Sequence, residues 1–208
     1  YNRDHLRRLL QNHEMIYVKP SIGTFGKGVI RIDRSPDSEH TFHYQIGTSM
    51  HRADSFDQLY QMLKPHIGKQ RYIVQQGIDL LNYHNRSFDI RVVVQQNLKR
   101  KWETTAFIGR VAHPKKIVTN YKSGGMIKTY ERLMAQHGTP DEIAALKQQL
   151  QKLGVSIGKK LEASYPGLKE LGVDVAIDWN MHPWVLEVNT KPHLYIFNKL
   201  SDKSMYKK

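Results

Sequence analysis

The segment GVDVAIDWNMHPWVLEVN, residues 172–189, limits the fold more than any other stretch of the chain. Two apolar runs, each alternating every second residue, flank a polar turn, which is the pattern of an antiparallel hairpin. Val173, Val175 and Ile177 alternate with Asp174, Ala176 and Asp178, and Trp184, Leu186 and Val188 alternate with Val185, Glu187 and Asn189. Glu187 and Asn189 therefore share a face. A two-residue turn at Asn180-Met181 would pair 178 with 183, 176 with 185 and 174 with 187. Asp174 would then lie across from Glu187, with β-carbons about 5 Å apart. Carboxylates so placed repel unless something positive joins them. The oxygens of Asp174, Glu187 and the Asn189 amide suit a hard cation. Mg²⁺ fits, because it takes few protein carboxylates and fills its shell with phosphate and water. Two solvent-facing acids on an edge hairpin would show the same alternation.

A second segment, IYVKPSIGTFGKGVIRI (residues 16–32), sets a glycine-rich loop between two short β-rich runs. It has neither the spacing of a P-loop nor that of a dinucleotide-binding turn. Glycines still let backbone N–H groups approach phosphate oxygens, and Lys19 and Lys27 could neutralise them as point charges. A plain basic hairpin is the other reading. Phosphates and a bridging metal are needed together, so the loop gains meaning from the carboxylate hairpin.

Along the remaining chain, residues 3–13 read as an amphipathic helix carrying Leu6, Leu9 and Leu10. Met15–Val18, Val29–Ile32, Thr41–Ile46 and Arg71–Gln75 read as strands. Asp54 is expected to cap a helix over residues 55–64. Phe88–Gln95 and Thr104–Val111 suggest a hairpin. Thr139-Pro140-Asp141-Glu142 is a capping box with proline at the first helical position, followed by an apolar stripe from Ile143 to Leu161. Gly154 and Gly158 within that stripe predict close packing. Helices mixed with antiparallel strand pairs give an α+β fold class.

The chain has 208 residues, enough for one sizeable domain or two packed lobes, and no cysteine. Disulfides and thiolate metal sites are excluded, and a cytoplasmic address is the default expectation. No run of 18 apolar residues predicts a membrane span. No His-x-x-x-His pair or Gly-x-Ser-x-Gly elbow points to zinc or serine hydrolysis. The net charge of +13 favours anionic partners. Its basic clusters are short and never alternate with aromatics, so they read as a solvated basic surface rather than a nucleic-acid site.

The chain resembles the ATP-grasp superfamily, in its glutathione-synthetase and ribosomal-protein glutamate ligase branch. YVKPSIGTFGKGVIRI resembles the phosphate-binding lysine strand and glycine flap, and YIVQQGI the adenine hinge. SFDIRVVV resembles the strand whose arginine reaches the transferred phosphate. TNYKSGG resembles the loop near the acyl-phosphate, and GVDVA…WVLEVNTKPHL the metal strands. The phrasing is most similar to YheC/YheD-like ATP-grasp proteins associated with spore coats.

The resemblance implies two α+β lobes gripping a nucleotide between them, a small lobe over residues 1–77 and a large lobe over 78–208. It implies ATP and Mg²⁺ as cofactors. Lys19, Gly23, Gly26 and Gly28 would meet the phosphates, with Lys27 a loop contact, and Gln76 and Ile78 would offer backbone groups to adenine. Arg91 would stabilise the γ-phosphate, and Asp174, Glu187 and Asn189 would hold Mg²⁺. Arg110, Asn120, Ser123, Gly124, Gly125 and Lys191 lie where the family meets substrate or acyl-phosphate. Gln76 stands where the hinge commonly has an acid, and Gly77 where it has a bulkier residue. The family's upstream substrate domain is expected to lie outside this chain. The implied activity is ligation of a carboxylate to an amine through an acyl-phosphate, with an acidic peptide or spore-coat component as the partner that the basic charge suggests. A phosphotransferase and a non-catalytic nucleotide-binding or coat-interaction protein are the alternatives.

Overall fold

A computed structural model of the chain describes residues 2–23, 26–68, 70–119 and 124–192. These form α1 (Arg3–Asn12), β1 (Met15–Pro20), β2 (Ile30–Ser35), β3 (Ser38–Ile46), β4 (Ser49–Ala53), α2 (Phe56–Ile67) and β5 (Tyr72–Gln76). There follow β6 (Phe88–Gln96), β7 (Trp102–Val111), β8 (Met126–Lys128), α3 (Tyr130–Met134), α4 (Pro140–Ser164), β9 (Glu170–Ile177) and β10 (Pro183–Asn189). Two five-stranded sheets result, ordered β4-β3-β2-β1-β5 and β10-β9-β6-β7-β8, and every paired strand in them is antiparallel. The α+β class read from the sequence is what the chain adopts.

The chain divides into two compact units. One comprises the chain up to Ile78 with the segment Ala112–Gly124, and the other comprises Asp79–Val111 with the chain from Gly125 onward. In the first, Leu6 and Leu10 of α1 and Leu59 and Leu63 of α2 are buried in one cluster with Ile16, Val18, Ile30 and Ile32 of the sheet. The Asn2 side chain caps α1 by accepting from the His5 N–H at 2.7 Å. For α2 the cap is Ser55, which accepts from the Gln58 N–H at 3.1 Å, and not Asp54. The Asp54 carboxylate instead takes the Arg52 guanidinium at 2.8 Å, while its N–H donates to the Gln58 side chain. The helix also runs past Pro65 to Ile67.

In the second unit, α4 opens on the complete Thr139/Glu142 capping box. It lies on β6 and β7 through its two glycines. A β-carbon on Gly154 would come within 2.8 Å of Val94, and one on Gly158 within 2.7 Å of the Trp102 ring. The alternation of β6 sends Phe88, Ile90, Val92 and Val94 into that core, with Val173, Val175 and Ile177 of β9 beside them. Asp89 and Arg91 are thereby turned to the opposite face of the sheet. No helix among the described residues is long and apolar enough to cross a membrane.

Gly158 offers a direct test of this packing. Gly to Ala inside a helix ordinarily gains about 1 kcal/mol. Here the added methyl meets the Trp102 indole, which Glu162 pins by accepting its N–H at 2.7 Å. Overpacking of about 1–3 kcal/mol opposes that gain. Gly158→Ala is therefore expected to destabilise by about 1 kcal/mol in urea unfolding. A gain in stability would show that α4 can slide away from β7.

Candidate functional site

Four charged side chains alternate in sign across β7, β6 and β9 on the sheet face away from α4. Register places Asp89 opposite Arg110 and Arg91 opposite Asp174. Arg110 donates Nε–H to Asp89 Oδ1 at 2.7 Å and Nη2–H to Oδ2 at 2.6 Å. The same Nη2 lies 2.7 Å from Asp174 Oδ2. Arg91 in turn donates Nη2–H to Asp174 Oδ2 at 2.9 Å and Nε–H to Oδ1. Asp89, Arg110 and Asp174 are buried, at 1%, 6% and 3% exposure. Burial disfavours the charged form of Asp174, but the Arg110 charge and the Arg91 hydrogen bonds outweigh it and hold the pKa below the ordinary value. Arg110 is raised: burial opposes its charge, and Asp89 and Asp174 more than offset that.

The β9–β10 turn is tied by Asp178. Its Oδ1 accepts the N–H groups of Asn180 and His182 at 2.9 Å each, and its Oδ2 accepts the Trp184 indole N–H at 2.8 Å. Met181 takes a positive φ of 61°. The turn is longer than a two-residue connection, so pairing next to it joins Pro183 to Ile177, Trp184 to Ala176 and Val185 to Val175. The expected pairs 178/183 and 176/185 are therefore corrected by one residue. A bulge between Val185 and Glu187 then restores the predicted register, and Glu187 faces Asp174. Without that extra residue, Glu187 would oppose Val173 and point to the core face. Asn189 donates its side-chain N–H to Glu187 Oε1 at 2.8 Å. Glu187 is exposed at the residue level, yet its pKa is raised, first by desolvation of its carboxyl and then by the Asp174 charge.

Three carboxylates (Asp89, Asp174, Glu187) meet two guanidinium groups (Arg91, Arg110), which leaves one negative charge in excess among these five groups. The opposed Asp174 and Glu187, with the Asn189 amide beside them, offer hard oxygen donors where positive charge is lacking. That chemistry fits Mg²⁺ completed by phosphate oxygens. Among the described residues no three Asp, Glu or His side chains gather as a self-sufficient metal cage.

In the first unit, Lys19 lies on β1 opposite Ile73, and Gln76 ends β5 opposite Ile16. The Gly77 N–H donates to Met15 O at 2.8 Å, and a β-carbon there would come within 2.5 Å of the Met15 side chain. The close approach of Met15 accounts for a residue without a side chain at this position. Gly26 and Gly28 adopt φ of 68° and 74°. Gly26 abuts Val118, and Gly28 abuts Tyr72 and Pro20. With Lys27, Gly47 and Lys116 they line a recess of about 300 Å³. Gly23 makes only ordinary contact with Pro20.

Ile78 ends the first of the two segments that make up the first unit. Gly124 turns at φ 89° against His113 in that unit, and Gly125 is buried in the other. Lys191 is exposed just beyond β10. Asn120 and Ser123 fall outside the described residues. Sequence reasoning assigned no role to Asp89, although its place two residues before Arg91 on one strand puts both on one face.

A family model described as YheC/D-like ATP-grasp matches residues 1–208. The chain is 28% identical over 190 residues to the endospore coat-associated protein YheD of Bacillus subtilis (strain 168), covering 89% of this chain and 41% of that protein. It is 20% identical over 190 residues to the endospore coat-associated protein YheC of the same organism, covering 91% and 52%. The chain thus spans about half the length of these curated relatives or less. Among solved structures, it is similar in fold to the C-terminal domain of K. lactis Pby1, described as an ATP-grasp enzyme interacting with the mRNA decapping enzyme Dcp2. The TM-score is 0.52 at 16% identity, over 97% of this chain and 56% of that one.

The two facing carboxylates make opposite contributions to stability. The folded pKa of Glu187 is raised, so its penalty is absent below the unfolded value of about 4.3 and complete above the folded one. Glu187→Gln is expected to raise the Tm of the metal-free protein at pH 7, with the gain vanishing below about pH 4. The folded pKa of Asp174 is depressed, so its stabilisation is present above about 3.9 and lost as pH falls through the folded value. Asp174→Asn is expected to lower the Tm at pH 7. Thermal unfolding between about pH 3.5 and 8 reads both. A lower Tm for Glu187→Gln would mean that Glu187 is held by a partner other than Asp174.

Proposed function

This chain belongs to the YheC/D-like ATP-grasp family, and we propose that it uses Mg²⁺-ATP to join a carboxylate to an amine. The observation that carries this reading is the facing pair Asp174 and Glu187, held beside the buried Arg110 and the partly buried Arg91 on one sheet face. A structural protein gains little from such a pair, because its repulsion opposes folding.

Asp174, Glu187 and Asn189 would hold Mg²⁺, which when bound neutralises phosphate charge and orients the phosphates. Lys19 would place a compact positive charge on the phosphates, and the backbone N–H groups around Gly23, Gly26 and Gly28 would approach their oxygens. Lys27 would add a loop contact. The backbones of Gln76 and Ile78 would serve the adenine edge. Arg91 would offset charge that develops on the γ-phosphoryl oxygens.

In the proposed reaction the substrate carboxylate oxygen bonds to the γ-phosphorus, and the bond to the β-phosphate oxygen breaks to release ADP. The amine then attacks the acyl carbon, inorganic phosphate leaves, and the amine gives its proton to solvent. No protein nucleophile is required. Arg110, Asn120, Ser123, Gly124, Gly125 and Lys191 are the proposed contacts for substrate and acyl-phosphate. The basic charge of +13 supports an acidic peptide or protein as substrate.

The two Bacillus subtilis relatives are named as endospore coat-associated, which supports a coat association; a second reading is a coat component that binds nucleotide without turning it over. A phosphotransferase on the same scaffold is separated from a ligase by its product, since only a ligase forms an amide.

Calorimetric titration with ADP and a non-hydrolysable ATP analogue, with and without Mg²⁺, tests the site. Micromolar, Mg²⁺-dependent binding is expected, falling at least about tenfold in Asp174→Asn/Glu187→Gln and in Lys19→Met, which is about 1.4 kcal/mol. Binding without ADP release across carboxylate and amine pairs would favour the coat-protein reading. Absence of binding to wild type would reject the nucleotide site altogether.

A further inference from the structure

Asp89 has no part in the ligand set above, yet it is the most deeply buried acid of the charged face. It accepts two Arg110 N–H groups, at 2.7 and 2.6 Å. Arg110 consequently reaches Asp174 through Nη2 alone, at 2.7 Å, and shares that nitrogen with Asp89.

A carboxylate has about four lone-pair directions. On Asp174, Arg91 Nε takes one on Oδ1, and Arg91 Nη2 and Arg110 Nη2 take two on Oδ2. The remaining direction, on Oδ1, is met by no arginine, and Glu187, which shares a side-chain hydrogen bond with Asp174, is the group that a cation would separate from it. Were Arg110 not forked onto Asp89, its planar guanidinium would be available to grip Asp174 with two N–H groups, as such pairs prefer. Asp174 would then be saturated by arginines.

We propose that Asp89 is a positioning residue that limits Arg110 to one contact on Asp174 and so reserves Asp174 Oδ1 for a divalent cation. The inference rests on the reading of Asp174 and Glu187 as a metal pair.

The test compares wild type, Asp89→Asn, Asp89→Glu and Glu170→Gln in the 208-residue chain. Glu170 lies on the same face of β9, four residues before Asp174, and pairs with Gln95 rather than with Arg110. Its loss changes the charge of the face equally without releasing Arg110. Three quantities are measured: Mn²⁺ affinity by water-proton relaxation, ADP affinity in EDTA, and ADP affinity in Mg²⁺.

Asp89→Asn is expected to weaken Mn²⁺ and the Mg²⁺-dependent part of ADP binding by tenfold or more, about 1.4 kcal/mol, while ADP affinity in EDTA stays within about twofold. The amide keeps one acceptor oxygen for Arg110 but presents an N–H₂ where the second was. Asp89→Glu, which keeps the fork at a longer reach, should recover part of the loss, and Glu170→Gln should leave all three quantities near wild type.

Unchanged metal affinity in Asp89→Asn overturns the proposal and leaves the functional reading intact. So does an equal loss in Glu170→Gln, which would reduce Asp89 to its charge. Should Asp89→Asn fail to fold, Asp89→Glu against Glu170→Gln decides by the same comparison. Wild type that binds neither Mn²⁺ nor ADP rejects the functional reading, and this inference with it.

Discussion

The second unit depends on a row of buried charges that must be in register or not exist at all. Moving a carboxylate or guanidinium out of water costs several kcal/mol per ion, and only close pairing with good geometry offsets it. Asp89, Arg110, Asp174 and Arg91 meet that requirement by alternating in sign across three neighbouring strands. A slip of one residue in either pairing would move each side chain to the face packed by α4. The hydrophobic pattern of β6 and the charge pattern therefore specify the same register. Neither could be changed without violating the other.

Such a row is a poor way to gain stability, since apolar residues of like volume often do as well or better. Its retention is easier to understand as preorganisation. Arginines clamped by carboxylates keep their guanidinium planes fixed, so on the proposed reading their charge would be oriented before a phosphate arrives. Glu187 differs from the other members. It sits at the solvent side of the row with a raised pKa and an amide neighbour, so the row ends in a carboxylate that lacks a matched cation. The unmatched position is where chemistry has room to act.

Much of this was legible in the sequence because it follows from short periods. The capping box of α4, the two close-packing glycines and the face shared by Glu187 and Asn189 all come from spacing within a strand or helix turn. What escaped depended on side chains choosing among partners. Asp54 and Ser55 are both good N-caps, and the Arg52 guanidinium beside Asp54 leaves Ser55 to cap α2. Strand β4 is a five-residue edge with Met50 exposed, so no alternation marks it, and β8 has three residues. The residues numbered 120–123, with the expected Asn120 and Ser123, lie outside what the structure describes.

The β9–β10 hairpin shows why a correct prediction can rest on an incorrect intermediate. Counting back from a two-residue turn gives Asp174 opposite Glu187. The chain instead makes a longer turn around Asp178 and loses one residue of register. It recovers that residue at the bulge before Glu187. Two deviations cancel, at the cost of one unpaired residue and a locally disrupted ladder at the bulge. Asp178 spends its whole carboxylate on stabilising the longer turn, accepting two backbone N–H groups and the Trp184 indole. Turn and bulge form one device: the first displaces the strand, and the second re-aims Glu187 out of the apolar core. The pairing of Asp174 with Glu187 is thus held by the turn before β10 and by the bulge within it.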